Sequence, residues 1–207
     1  MSVDDAIITW EQLEQIVHTG DLKKLHRDHA GMKKYNDFKQ KLKFANIDLT
    51  VNLLVTQLKW ISPKDYKLEG TKFADIKEIT PIDKRLFANS SDVTILRNDF
   101  PYHFEANVKH LVVWVKNQIL PDPESPHGDI SNYDKSLIEK YINKTFVEYL
   151  NIDRKDILWY KNWAALQSVR TIPHIHVILR NVSEEKILKV LYTGGKEIDY
   201  DHVEPKL

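Results

Sequence analysis

The chain contains no cysteine among its 207 residues. That removes disulfide frameworks, thiolate nucleophiles and cysteine-based zinc sites from consideration. It also lacks an excess of either charge: Lys and Arg number 30, Asp and Glu number 30, and the pI is about 7.1. No global field therefore draws the protein to nucleic acid or to an anionic membrane, and no clustered basic patch supports duplex binding. Long apolar runs are missing too, and no segment approaches the length of a membrane span. The first ten residues, "MSVDDAIITW", hold two Asp and no apolar stretch, so a signal peptide is not expected. These absences predict an intracellular soluble protein, in the cytoplasm or nucleus, with neither nucleic acid nor membrane as partner.

What is present is core-forming material. Hydrophobic residues make up 42% of the chain, with five Trp, nine Tyr and seven Phe, enough for one sizeable core. A single domain over 1–207 is expected, mainly helical over 1–62 and sheet-bearing over 91–195. From Thr9, a candidate N-cap, Trp10, Leu13, Ile16 and Val17 keep helical spacing. The Lys-rich run that follows, with Lys23, Lys24, Lys33, Lys34, Lys39, Lys41 and Lys43, reads as solvated helix broken at Gly20 and Gly31. "IDLTVNLLVTQLKW" is a further candidate helix. Residues 63–89 read as a long connection punctuated by Pro63, Gly70 and Pro81.

Strand patterns then take over. "DVTILRN" and "HLVVWVKN" are β-branched and aromatic, and "DILWYKN" and "HIHVILRN" repeat the pattern after an amphipathic helix over "SNYDKSLIEKYINKTFVEYL". Ser183 caps a last helix. The order α, then β-β-α-β-β-α, predicts an α+β fold with N-terminal helices packed on an antiparallel sheet.

Chemistry concentrates in "TIPHIHVILR", residues 171–180. His174 and His176 stand two apart in a strand and so share one face. Such a pair can attack and position a phosphate, bind a metal, or serve as hydrogen-bonded structure. Without Cys or a His-Glu helix motif, no metal site and no cofactor are expected. Upstream, "KNWAALQSV" supplies Asn162, Gln167 and Ser168, neutral groups suited to phosphate and ribose oxygens. Arg97 in "RNDFPYHF" can grip a phosphate in a bidentate way, or else pair with Asp99 across an ordinary turn, and Asp99 and Tyr102 can reach ribose or base edges. Lys116, at a strand end, is a further ligand candidate. His127 and Asp129 sit in a Pro-rich loop that either closes over a ligand or is a plain solvated connection.

Asn162, the Gln167-Ser168-Val169 step and "HIHVILR" together resemble the histidine-triad superfamily of nucleotide hydrolases and transferases, and "NVKHLVVWVKN" is similar to an earlier strand of that superfamily. The resemblance implies a histidine-triad-like second half, with His174 at the nucleophile position and His176 against phosphate. The pattern departs at Ile172, where the first histidine of the triad would stand, and at Leu166, where a Gly would. The missing orienting imidazole leaves binding in place of catalysis as the leading expectation. "LRNDFPYHFEANVKHLVVWVKN", "FVEYL", "ILWYKNWAALQSV" and "HIHVILRN" resemble the fungal N-acetylglucosamine-induced protein family, a domain of unknown function. This implies a setting of amino-sugar response and UDP-activated sugars.

The leading expectation is binding of a small phosphorylated ligand, a nucleotide such as a pyrimidine monophosphate or a nucleotide sugar, by Arg97, Lys116, Asn162, Gln167, Ser168, His174 and His176. The alternatives are a histidine-triad-like phosphohydrolase or nucleotidyltransferase with His174 as catalytic nucleophile, and a protein-interaction module whose histidines are structural.

Overall fold

The computed structural model describes residues 2–77, 79–125, 128–163, 166, 167 and 169–200. Its centre is a four-stranded antiparallel sheet of β3 (Val93–Arg97), β4 (Lys109–Val115), β6 (His174–Leu179) and β5 (Ile157–Tyr160), in the order β3-β4-β6-β5. The histidine strand is therefore interior, paired on both edges. A two-residue parallel ribbon of β1 (Ser2–Val3) and β2 (His26–Arg27) lies outside it. With α1 (Trp10–Thr19), α2 (His29–Phe44), α3 (Leu49–Asn52), α4 (Asn132–Ile142) and α5 (Glu184–Leu188), the architecture is α+β.

Local chemistry explains the helix ends. Thr9 and Gln12 form a reciprocal capping box at the start of α1, and Gly20, at φ 70°, closes it in the left-handed conformation. Gly31 does not separate two helices as its position suggests. It lies in the first turn of α2, where its N–H donates 2.7 Å to the Asp28 cap, and a Cβ there would sit 2.7 Å from that same oxygen. The β-branched stretch after Asp48 does form helix: α3 runs into a π-helical turn at Leu53–Gln57. Among its described residues the connection over 63–89 contains one short 3-10 turn, Phe73–Asp75. Among the described residues no helix is long and apolar enough to cross a membrane.

The two faces of the sheet differ in kind. One is wholly apolar: Leu111, Val113, Val115, Ile175, Val177 and Leu179 are completely buried beneath Leu137, Ile138, Tyr141, Ile142 and Phe146 from α4 and the π-helical turn that extends it, with Ile187 of α5. At about 1.5–3 kcal/mol for each fully buried large apolar side chain, this face carries most of the stabilisation. The other face is covered in two patches. Trp10, Leu13 and Ile16 of α1 pack with Tyr160 and Ile178. Leu53, Leu54 and Leu58 pack with Leu96, Val112 and Trp114. Between the patches the register brings His110 of β4 together with His174 and His176 of β6. Burying such groups is unfavourable by about 1–3 kcal/mol each unless they are hydrogen-bonded, and each of the three imidazoles here has at least one hydrogen bond.

Candidate functional site

His174 begins β6 and is 5% exposed. Its Nδ1 lies 2.9 Å from the carbonyl oxygen of Ile172. A carbonyl only accepts, so Nδ1 carries the proton and Nε2 keeps its lone pair. Nε2 makes no hydrogen bond among the described residues. Trp114 packs against the ring at a centroid distance of 4.4 Å. Burial, reinforced by the positive charge of Lys161, holds the His174 pKa down at about 4 even though the Ile172 carbonyl favours the proton. The imidazole is neutral at pH 7.

His176 sits two residues on. Its Nε2 is 3.1 Å from the side-chain nitrogen of Asn162, and its Nδ1 is 2.9 Å from Nε2 of His110. An amide nitrogen only donates, so the proton of His176 is on Nδ1 and points at His110. Tyr160 stacks on the His176 ring at 4.9 Å and 13°. The Asn98 amide nitrogen also lies 3.1 Å from Nε2 of His110, but the single lone pair there is taken by the His176 proton, so this approach is a contact and not a second hydrogen bond. Burial pushes His110 down to about 3, with Arg27 adding to it. Burial likewise holds His176 well below the ordinary histidine range, helped by its two histidine neighbours and Arg27. All three imidazoles are therefore uncharged donors and acceptors.

The positive charge comes from Arg27, which is 5% exposed. Its Nε donates 2.8 Å to the carbonyl of Phe100, and its guanidinium lies over the rings of Tyr35 and Tyr102 at 4.8 and 5.1 Å. These contacts fix the plane of the group, and guanidinium stays protonated at any physiological pH.

Arg27, Asn162, His174 and His176 line a cavity of about 120 Å³ between the sheet and the helices α2 and α3, with His110 behind His176 and outside the lining. Arg27, Asn162, His174 and His176 supply its polar groups, and Tyr35, Phe38, Tyr102 and Trp114 supply an aromatic wall. Gln57 and Asp99 belong to its lining nearer the solvent and are hydrogen-bonded to each other at 2.8 Å. Asn162 is 4% exposed and donates to Tyr102 and His176, yet its Oδ1 has no hydrogen-bond partner among the described residues. A buried acceptor without a donor is rare enough to mark a place where a ligand or water belongs.

The residues expected from the sequence divide accordingly. Asn162, His174 and His176 converge on the cavity, and Gln167 supports it by donating 2.6 Å to the backbone oxygen of Asn162. Arg97 belongs to the cavity lining, but its guanidinium is ion-paired with Glu184 of α5 and not with Asp99. Its register partner is Leu111, on the apolar side of the sheet, which explains where the side chain goes. Lys116 is not brought to the cavity: its Nζ lies 3.4 Å from Asp92 and 5.6 Å from the Trp60 ring. Ser168 and His127 lie outside the described residues. Among those described, no group of three His, Cys, Asp or Glu is placed to hold a metal ion.

Two site residues escaped the sequence reading. Arg27 was not singled out from the Lys-rich run around it, although it is the only Arg before residue 85. His110 shares the alternation of Val112 and Trp114, and that alternation was the available signal for its facing the other two histidines.

The comparisons agree with this geometry in extent. The family model DUF3605, described as a protein of unknown function, matches residues 9–180, a span that contains every cavity residue named above. N-acetylglucosamine-induced protein 1 of Candida albicans is 37% identical over 202 residues, covering 95% of this chain and 79% of that protein. Uncharacterized protein YPL067C of Saccharomyces cerevisiae is 28% identical over 170 residues, covering 82% of this chain and 77% of that protein. The crystal structure of HTC1 superposes with a TM-score of 0.63 at 27% identity, covering 88% of this chain and 92% of that one.

Proposed function

Since the chain belongs to the DUF3605 family of proteins of unknown function, to which the N-acetylglucosamine-induced relative is similar over nearly the whole chain, we propose on geometry that it binds a small phosphorylated ligand in the cavity on the histidine face. The leading class is a nucleotide, a pyrimidine monophosphate or a nucleotide sugar, in a cell's response to N-acetylglucosamine. The observation that carries the reading is the convergence on one aromatic-walled cavity of a buried guanidinium, two neutral imidazoles and the side-chain oxygen of Asn162, which has no hydrogen-bond partner among the described residues. A guanidinium offers forked donors that match phosphate oxygens, and the aromatic wall suits a ring. A cavity of about 150 Å³ is known to take one benzene-sized guest. The 120 Å³ here accordingly admits a phosphate with part of a sugar, the rest of the ligand lying toward Gln57 and Asp99.

Calorimetry with UMP and UDP-N-acetylglucosamine tests the reading. Binding of at least one of the two is expected, and Arg27→Gln should weaken it by roughly tenfold to a hundredfold, the equivalent of one charge-assisted hydrogen bond. No heat at millimolar ligand would end the reading.

One observation favours a second reading, a histidine-triad-like phosphohydrolase or nucleotidyltransferase. The neutral His174 has its proton fixed on Nδ1 by the Ile172 carbonyl, and its Nε2 lone pair, without a hydrogen bond among the described residues, would be the nucleophile. The orienting task that an imidazole would perform at position 172 falls to the backbone of the same residue.

A further inference from the structure

The burial of charge along the cavity is graded. Arg27 is 5% exposed, whereas Asp99 is exposed. A cation lies at the inner end and an anion at the rim.

The rim anion is held in place. After β3, the Asn98 N–H donates 2.9 Å to the His110 carbonyl, and the Asn98 side-chain oxygen accepts from the Phe100 N–H at 2.9 Å. This turn sets the backbone of Asp99. From across the mouth, Gln57, the last residue of the π-helical turn, donates 2.8 Å to Oδ2 of Asp99. A carboxylate accepts through several lone pairs, and one donor from Gln57 does not use them up. Arg97, the neighbouring cation, is engaged by Glu184. Whatever part of a ligand reaches Asp99 must therefore donate hydrogen bonds and must not be anionic.

On the reading that the cavity takes a phosphorylated ligand, we propose that the ligand is a phosphomonoester of a hydroxylated ring, bound phosphate-inward at Arg27, and that Asp99 selects it at the mouth by accepting its hydroxyls and repelling longer phosphate chains. A triphosphate that set its terminal phosphate on Arg27 would carry the next two past the aromatic wall toward the carboxylate. A monoester places its ring against that wall and its hydroxyls at Asp99. Specificity of this kind has an attractive and a repulsive part, and one carboxylate supplies both.

The test is calorimetry on the full chain with inorganic phosphate, ribose 5-phosphate, UMP and UTP, for the wild type and for Asp99→Asn. The substitution keeps the shape and an acceptor for Gln57, and melting curves verify that it folds. The wild type should bind UMP and ribose 5-phosphate at least about tenfold more tightly than UTP. Asp99→Asn should compress that ratio to about threefold or less, chiefly by improving UTP. Equal affinity of the wild type for UMP and UTP would overturn the inference while leaving the phosphate-binding reading intact, as would a ratio unmoved by Asp99→Asn. Failure of all four probes to bind takes down that reading and this inference with it.

Discussion

His176 and His110 share a single proton: Nδ1 of the first lies 2.9 Å from Nε2 of the second, 66 positions apart in the chain. The Asn162 amide decides which of the two donates, because it occupies the opposite nitrogen of His176 as a donor. Removing His110 would leave that proton pointing at nothing inside the protein. His110→Ala should therefore lower stability by about 1–3 kcal/mol from the orphaned donor alone, with a further loss from the space vacated. His110→Gln, which retains an acceptor, should lose less. Denaturant midpoints compare them, and equal midpoints for the wild type and His110→Ala would show that no proton is shared.

Acid should unfold this protein earlier than its carboxylates would predict. A histidine in the unfolded chain takes up its proton near pH 6.5, whereas His174 resists until about 4 and His110 until about 3, both because of burial. Between those limits the unfolded state binds more protons, so stability falls as pH is lowered from about 6.5. The limiting slope is about 1.4 kcal/mol per pH unit for each buried imidazole. Above about pH 7 these groups contribute no slope. Urea midpoints at about pH 7, 6 and 5 measure the effect. His174→Gln should flatten the curve, and an unaltered slope in that variant would assign the acid sensitivity elsewhere.

If the lone pair of His174 acts on phosphorus, incubation with UDP-N-acetylglucosamine should release UMP. In the first step an N–P bond would form at Nε2 as the sugar-phosphate oxygen leaves with the electrons of its P–O bond. Water would then cleave the N–P bond and regenerate the imidazole. His174→Gln should abolish release. Binding without release in the wild type, followed by chromatography of the nucleotides, would restrict the protein to a binding role.

Outside the cavity, Gly194 is held by space. A Cβ built on it would stand 1.8 Å from the backbone oxygen of Ser90. The adjoining segment is hydrogen-bonded to the edge of the sheet on both sides, through Tyr192 N–H to Ile95 O and Ile95 N–H to Thr193 O, each 2.8 Å. The backbone cannot yield without breaking those bonds. Gly194→Ala should be destabilising by about 3 kcal/mol, at the upper end of overpacking effects. A thermal midpoint within error of the wild type would mean that the segment can move aside.

The elements were legible where a short window carries the information. Period-2 patterns gave all four strands of the main sheet, and Thr9 and Ser183 cap the helices expected of them. Gly20 ended its helix while Gly31 did not, because the role of Gly31 depends on an Asp28 side chain folding back onto it. The site was less legible for the same reason on a larger scale. His174, His176 and Asn162 are neighbours in sequence, so their grouping could be read. Arg27 reaches the cavity only through a two-residue ribbon with the N-terminus and a bond to Phe100, 73 residues away. Arg97 and Lys116 sit at strand ends, where the sequence shows a cation but not which face or partner it takes.

The histidine strand lies between two others, and that position governs timing as well as geometry. Displacing His176 would mean unzipping pairing on both edges of β6, and displacing His174 would mean breaking its pairing with β4, so the sheet side of the cavity resists movement. The opposite wall ends in a π-helical turn, where the backbone ladder is wider and weaker. On the proposed reading, the breathing that admits or frees a ligand belongs to that wall. Association and release should therefore be governed by the helix that carries Gln57, and substitutions there should alter how long a ligand stays without disturbing how the imidazoles hold it.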